Sequence, residues 1–198
     1  MIIIRNRNKA KPYKIFENYL KKALNSKQDS IEAMALSSFN KLTNEVESRY
    51  VNLKYIDSSD FIFFTNYNSL KSSNFNDHAQ ISALFYWDKI NTQIRIKANI
   101  FKTSSLISHE HFINRSKEKN ALAISSSQSK KIDSYEEILI NFQKTLENED
   151  LDNCPDYWGG YSFTPYYFEF WEGHKSRINK RRVFELKDRC WTSFILQP

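Results

Sequence analysis

Three short runs near the C-terminus carry the residue types best suited to chemistry on a flat, charged molecule. They are Trp158-Gly159-Gly160-Tyr161, Phe168-Glu169-Phe170-Trp171-Glu172-Gly173 and Arg177-Ile178-Asn179-Lys180-Arg181. Together they hold all three glycines and two of the four tryptophans in the chain. Aromatic faces pack against a planar ring while guanidinium groups pair with its charge. The same residues also suit a plainer reading, an aromatic strand of a β core followed by a solvated basic turn. The scarcity of glycine narrows the chemistry further. With glycines only at 159, 160 and 173 there is no G-x-G-x-x-G turn and no P-loop. Any bound phosphate must therefore be held by side chains.

A chain of 198 residues suits one domain with its own core. Hydrophobic residues make up 40% and aromatic residues 15%, enough to drive folding. The net charge of +6 favours an anionic partner: a phosphorylated small molecule, nucleic acid or a membrane surface. Cys154 and Cys190 lie far apart with no metal-binding or C-x-x-C spacing, so a reduced, cytoplasmic protein is the simplest account. The opening Met1-Ile2-Ile3-Ile4 is too short for a signal-peptide core, and no apolar run reaches membrane-spanning length. His109 and His111 would point to different sides of a helix, so no metal site is expected.

Residues 1–11 read as a mobile basic lead-in to a single domain over 12–198. Pro12 opens a helical pattern carried by Ile15, Phe16, Tyr19, Leu20 and Leu24. Strand patterns follow at 33–39, 47–56 and 61–65, then Ser69 is positioned to cap a short helix through Asn76. Residues 80–87 and 92–103 form a hairpin signal around Asp88-Lys89-Ile90-Asn91. Ser108 is read as the cap of a helix reaching Asn120, and Ser134 with Glu137 forms a capping box ahead of an amphipathic helix. Three strands, near 161–171, 181–186 and 190–196, complete the chain. Six or more strands with a few helices predict an antiparallel barrel with helices packed outside it.

Several segments occur in the order of one family: Arg49-Tyr50-Val51-Asn52-Leu53-Lys54, Phe63-Phe64-Thr65-Asn66 with Ser69 and Lys71, Gln93-Ile94-Arg95-Ile96, Gln128-Ser129 and the C-terminal stretch. From about Pro12 to Pro198 the chain resembles the pyridoxine/pyridoxamine 5'-phosphate oxidases. The resemblance implies a mainly β (α+β) fold, an FMN-binding split β-barrel with a Greek-key-like antiparallel arrangement and peripheral helices. It also implies a cytoplasmic homodimer with FMN between the subunits, and no nucleic-acid or membrane partner. The implied reaction oxidises pyridoxine or pyridoxamine 5'-phosphate to pyridoxal 5'-phosphate, with hydride transfer to the flavin and reoxidation by O2.

Carried over position by position, the FMN contacts are Arg49, Tyr50, Val51, Asn52, Leu53, Lys54, Phe64, Thr65, Lys71, Gln93, Gln128, Ser129, Trp171 and Arg181. Arg49 and Lys71 fall where the family holds the FMN phosphate, and Leu70 replaces a second basic residue beside Lys71. The substrate side is Lys54, His111, Arg115, Lys119, Arg177 and Asn179, with Arg177 and Asn179 at the positions the resemblance gives as catalytic. His111 stands for a tyrosine, Lys119 for a serine, and Asn179-Lys180 for histidine and aspartate. Asparagine can hydrogen-bond but cannot take up a proton near neutral pH as histidine can. These changes keep two alternatives open: a flavin oxidase with another substrate, as in the phenazine-biosynthesis branch, or an FMN binder without turnover.

Overall fold

In the computed structural model, which describes residues 2–198, alternating apolar residues build ten strands into one sheet. The strands are β1 (Ile3–Arg7), β2 (Ala33–Asn40), β3 (Glu45–Asn52), β4 (Tyr55–Ser58), β5 (Asp60–Asn66), β6 (Gln80–Trp87), β7 (Thr92–Lys102), β8 (Trp158–Glu172), β9 (Lys180–Lys187) and β10 (Cys190–Leu196). The helices are α1 (Lys11–Asn25), α2 (Leu70–Asp77), α3 (Ser105–Ile113), α4 (Lys117–Ser125) and α5 (Tyr135–Asn148). Along the sheet the order is β1-β4-β5-β8-β7-β6-β2-β3, with β9 also paired to β8 and β10 to β9.

Strand β8 is the spine of the barrel. Its first half pairs with β5 and its second half with β9, while β7 runs along its other edge. The change of partner falls at Pro165, where the pairing to β7 also slips by one residue. Proline has no N–H to give a ladder, so it fits a point where pairing is interrupted. Two glycines then let α3 approach this strand. A Cβ at Gly159 would run into Tyr67 Oη and Ser108 Oγ, and Gly160 N donates to Ser108 Oγ at 3.1 Å.

Helix α1 closes the barrel. Pro12 sits in its first turn, and Tyr13, Phe16, Leu20 and Ala23 recur every three or four residues on the buried face. Phe16 meets Phe61, Phe85 and Trp87 edge-on, with ring centroids 5.2, 5.4 and 5.7 Å away. Burying such a ring stabilises the fold by about 2–3 kcal/mol.

The structure departs from the sequence reading in several places; among them, the helix expected to reach Asn120 is split into α3 and α4, and Ser69 starts α2 without a side-chain cap bond. Residues 3–7, read as part of a mobile lead-in, form β1, because Ile2 is buried and Ile3 N donates to Lys54 O on the free edge of β4. The β1–β4 pair is parallel, so the sheet is mixed rather than wholly antiparallel. The strand expected over 47–56 breaks into β3 and β4, because Leu53 N turns away to Glu32 O and Lys54 N to Ile62 O. Ser108 does not cap a helix. Ser104 caps α3 by accepting from Ile107 N, and Ser108 lies buried one turn inside it. Ser134 caps α5 through Glu137 N at 3.1 Å, and Asn91 ends the β6–β7 turn with φ of 45°. Among the described residues no helix is long and apolar enough to cross a membrane.

Candidate functional site

Strand β3 ends the sheet, so among the described residues one row of its backbone N–H and C=O groups has no strand partner. Beside that edge lies a cleft of about 290 Å³ that gathers most of the residues singled out in the sequence. Tyr50, Val51, Asn52 and Lys54 line it from the β3 side, Phe64 and Thr65 from β5, and Lys71 from α2. His111, Arg115 and Lys119 enter from α3, α4 and their link, and Gln128 from the loop that follows.

At one end Lys71 is buried, with Nζ donating to Thr65 Oγ1 (2.9 Å), Ser69 Oγ (3.1 Å) and Gln128 Oε1 (3.3 Å). All three acceptors are neutral. Burial and the nearby Arg49 guanidinium push the Lys71 ammonium down to about 8. Arg49 is fixed by Ser38 Oγ and Glu47 Oε2, both at 2.8 Å, and Asn74 holds the same two groups. This pair of cations is rigid and only partly neutralised.

The other end is built from rings and a second set of cations. Phe64 stacks on His111 at 3.8 Å and on Trp158 at 5.5 Å. The Arg115 guanidinium lies 4.4 Å over the Trp158 ring, its Nη2 donating to Lys119 O. Its Nη1 is buried with no hydrogen-bond partner among the described residues. Burial pushes Arg115 down to about 10 and His111 down to about 4, the latter also under the charges of Arg115, Lys54, Arg5 and Lys119. His111 is therefore neutral at pH 7. Lys54 pairs with Glu32 at 2.9 Å.

The remaining sequence-predicted residues lie elsewhere. Gln93, Trp171 and Arg181 line a separate recess with Leu84, Arg95, Glu169 and Pro198. Asn179 lines the adjoining groove between α1 and the C-terminal strands, and Arg181 borders both. Arg177 is exposed with φ of 60°, and Asn179 Oδ1 accepts from His174 N to hold that loop. Among the described residues none lines both this region and the β3 cleft. Three expected contacts also miss the cleft: Arg49 is turned onto Ser38 and Glu47 and is not among its lining residues. Ser129 faces the neighbouring loop cavity with φ of 73°, and the Leu53 side chain is fully buried in the core.

Sequence reasoning passed over the groups that hold these side chains in place. Glu169 is buried and binds both Arg95 and Arg181, the latter through Nε at 2.7 Å, while Tyr167 donates to it at 3.0 Å. Burial opposes its ionisation, yet the bonds from Arg181 and Arg95 keep its carboxyl below the usual range. A carboxylate inside an aromatic strand, two residues from Trp171, was the available signal. Ser38, Asn74 and Tyr55 carried none, since their partners are distant in sequence.

A relative aligns along almost the whole length. It is the pyridoxine/pyridoxamine 5'-phosphate oxidase of Leptospira interrogans, 32% identical over 191 residues, covering 94% of this chain and 88% of that one. The namesake from Vesicomyosocius okutanii is 34% identical over 174 residues, covering 87% and 82%. The chain belongs to the pyridoxine/pyridoxamine 5'-phosphate oxidase family. Residues 158–198 match the family's pyridoxine 5'-phosphate oxidase C-terminal dimerisation region. The fold agrees. PhzG from Burkholderia lata, solved with tetrahydrophenazine-1-carboxylic acid, superposes with a TM-score of 0.88 at 23% identity, covering 95% and 93% of the two chains. An FMN-binding, pyridoxamine 5'-phosphate oxidase-related protein from Nostoc punctiforme gives 0.79 at 13%, covering 96% and 99%. Membership makes this chain an oxidoreductase on the split-barrel fold. Its thiols stand outside that chemistry: Cys190 is exposed, and burial pushes Cys154 up to about 11.

Proposed function

We propose that the protein is an FMN-dependent oxidase that converts pyridoxine or pyridoxamine 5'-phosphate to pyridoxal 5'-phosphate. One observation carries the reading: a single cleft is lined by Lys71 at one end, with the Arg49 charge close by but outside the lining, and by Arg115, Lys119 and Lys54 at the other. Two phosphate groups, one on the cofactor and one on the substrate, match that division.

The side chains fit the cofactor. Arg49, Lys71 and the Thr65 hydroxyl would take the FMN phosphate, and the free edge of β3 offers backbone groups to a polar ring edge. Bound there, FMN would supply a two-electron acceptor that O2 returns to its oxidised form. The other tasks fall to the protein. The buried, unpartnered Nη1 of Arg115 is an N–H donor in want of an acceptor, which a substrate phosphate would provide. Anchoring that phosphate uses remote binding energy to orient the reacting carbon.

Gln93, Trp171, Arg181, Arg177 and Asn179 belong to the second region, which one chain does not bring to the cleft. A homodimer joined through residues 158–198 would supply them from the partner subunit, making each site composite. A second reading, another reduced, ring-shaped anion as substrate, is favoured by Asn179, whose carbonyl oxygen is already spent on its own loop.

The test is anaerobic. The FMN-loaded protein is mixed with pyridoxine 5'-phosphate and the flavin absorbance followed. Bleaching that reverses on admitting air is the expected result. A yellow protein that does not bleach would reject this substrate.

A further inference from the structure

The ring of His111 is held on two sides that the family reaction does not by itself explain. Phe64 stacks on one face at an interplanar angle of 13°, and Tyr55 meets it edge-on with its hydroxyl 2.8 Å from Nδ1. Tyr55 is itself buried under the Arg5 guanidinium, 4.1 Å above its ring, so strand β1 braces the pair. His111 faces the cleft where Lys54, Arg115 and Lys119 gather; Tyr55 does not line it.

A neutral imidazole carries one N–H, on either nitrogen. Were it on Nδ1, the Tyr55 hydroxyl would accept, and its own proton would have no acceptor among the described residues. With Nδ1 bare, the hydroxyl donates to it and the N–H moves to Nε2. Only the second arrangement satisfies Tyr55 and leaves a donor for an anion. We infer that Tyr55 is a positioning residue: its hydroxyl fixes His111 as the Nε2–H tautomer, and that N–H donates to the phosphate of the substrate. The inference rests on the proposed phosphate-bearing substrate, and it makes Tyr55 part of how that phosphate is recognised. Burial, and after it the charges of Arg115, Lys54, Arg5 and Lys119, keep the ring neutral, so recognition here comes from a directed hydrogen bond added to the charge of those cations.

The experiment reads the ring directly and needs no turnover. Nitrogen-15 spectra of histidine-labelled protein, assigned with His111→Phe, are recorded during titration with inorganic phosphate. The expected result is a bare, pyridine-like Nδ1 and a protonated Nε2 whose resonance moves on saturation with phosphate. Tyr55→Phe keeps both ring contacts and removes only the hydroxyl. It should give a mixture of tautomers and weaken phosphate binding roughly 2- to 10-fold, the range of one ordinary hydrogen bond. His111→Phe, which preserves the stack on Phe64, should weaken it about 10-fold or more, as expected for a bond to a charged group. A proton on Nδ1 in the parent protein would overturn the inference, as would an Nε2 resonance that phosphate leaves unmoved. Unchanged phosphate affinity in His111→Phe would do the same. Failure of the vitamin substrate to bleach the flavin would leave these spectra as they are, so the two claims fall separately.

Discussion

The β3 cleft and the recess around Glu169 both gather cationic side chains, and Lys71 in the first is compensated far less than Arg95 and Arg181 in the second. In the cleft, Lys71 is surrounded by neutral oxygens and sits close enough to Arg49 to feel its charge. In the recess, Arg95 and Arg181 share one buried carboxylate, which cancels part of their charge and fixes their direction. Uncompensated positive charge held rigidly is costly in the free protein, and an arriving anion relieves that cost. A neutralised arginine costs less and serves best as an oriented donor. On the proposed function, the first region would bind and the second would aim.

Breaking the cleft should have the larger effect. Arg49→Ala should raise the Kd for FMN by about 100-fold, the worth of a charge-assisted pair of bonds. Unchanged cofactor titration in that variant would remove Arg49 from the site. In the recess, Glu169→Gln should cost about 2 kcal/mol of stability by releasing two arginines from a buried charge. It should weaken FMN less than Arg49→Ala does, and thermal melts alongside FMN titrations would check both parts. If it weakened FMN more, the contrast drawn between the two regions would be reversed.

The uncompensated ammonium also predicts a pH dependence with a definite sign. Lys71 titrates at about 8 in the free protein, and a bound phosphate stabilises its charged form, raising that value. Below pH 8 the lysine is already charged, so FMN affinity should be flat on its account. Above pH 8 binding must take up a proton, so the Kd should rise by up to about 10-fold per pH unit. Lys71→Met should abolish that rise; a slope that persisted would assign it to another group. The smallest effect concerns the loop. Asn179→His should raise turnover with pyridoxine 5'-phosphate a few-fold, about 1 kcal/mol of barrier, if the position has only drifted. No gain would favour a different substrate.

Local pattern made much of this legible. The spacing of Phe16, Leu20 and their neighbours marked α1, the alternation over 80–103 marked the β6–β7 hairpin, and Ser134 marked the start of α5. The resemblance assigned Lys71, Lys54 and Arg115 to phosphate groups, and all three line one cleft, while Arg49, Ser129 and the Leu53 side chain fall outside its lining. What stayed hidden depends on long-range pairing. Strand β1 exists because β4 offers it an edge, and Tyr55 matters because His111 lies 56 positions further on. The resemblance implied FMN between two subunits, but which residues fall in which region was invisible for the same reason, since sequence order does not say which face a strand turns to its neighbour.

That division is the centre of the account, and mixed dimers test it most directly. Arg49→Ala and Arg181→Ala chains carrying different tags are co-expressed and purified through both tags, and bound FMN is counted. If each site draws Arg49 from one subunit and Arg181 from the other, a mixed dimer has one intact site and one that lacks both arginines. It should then bind about half the FMN of the parent protein, while either homodimer binds little. If both arginines serve the same site within one chain, every site in the mixed dimer is damaged. FMN no higher than in the single variants would contradict the composite site.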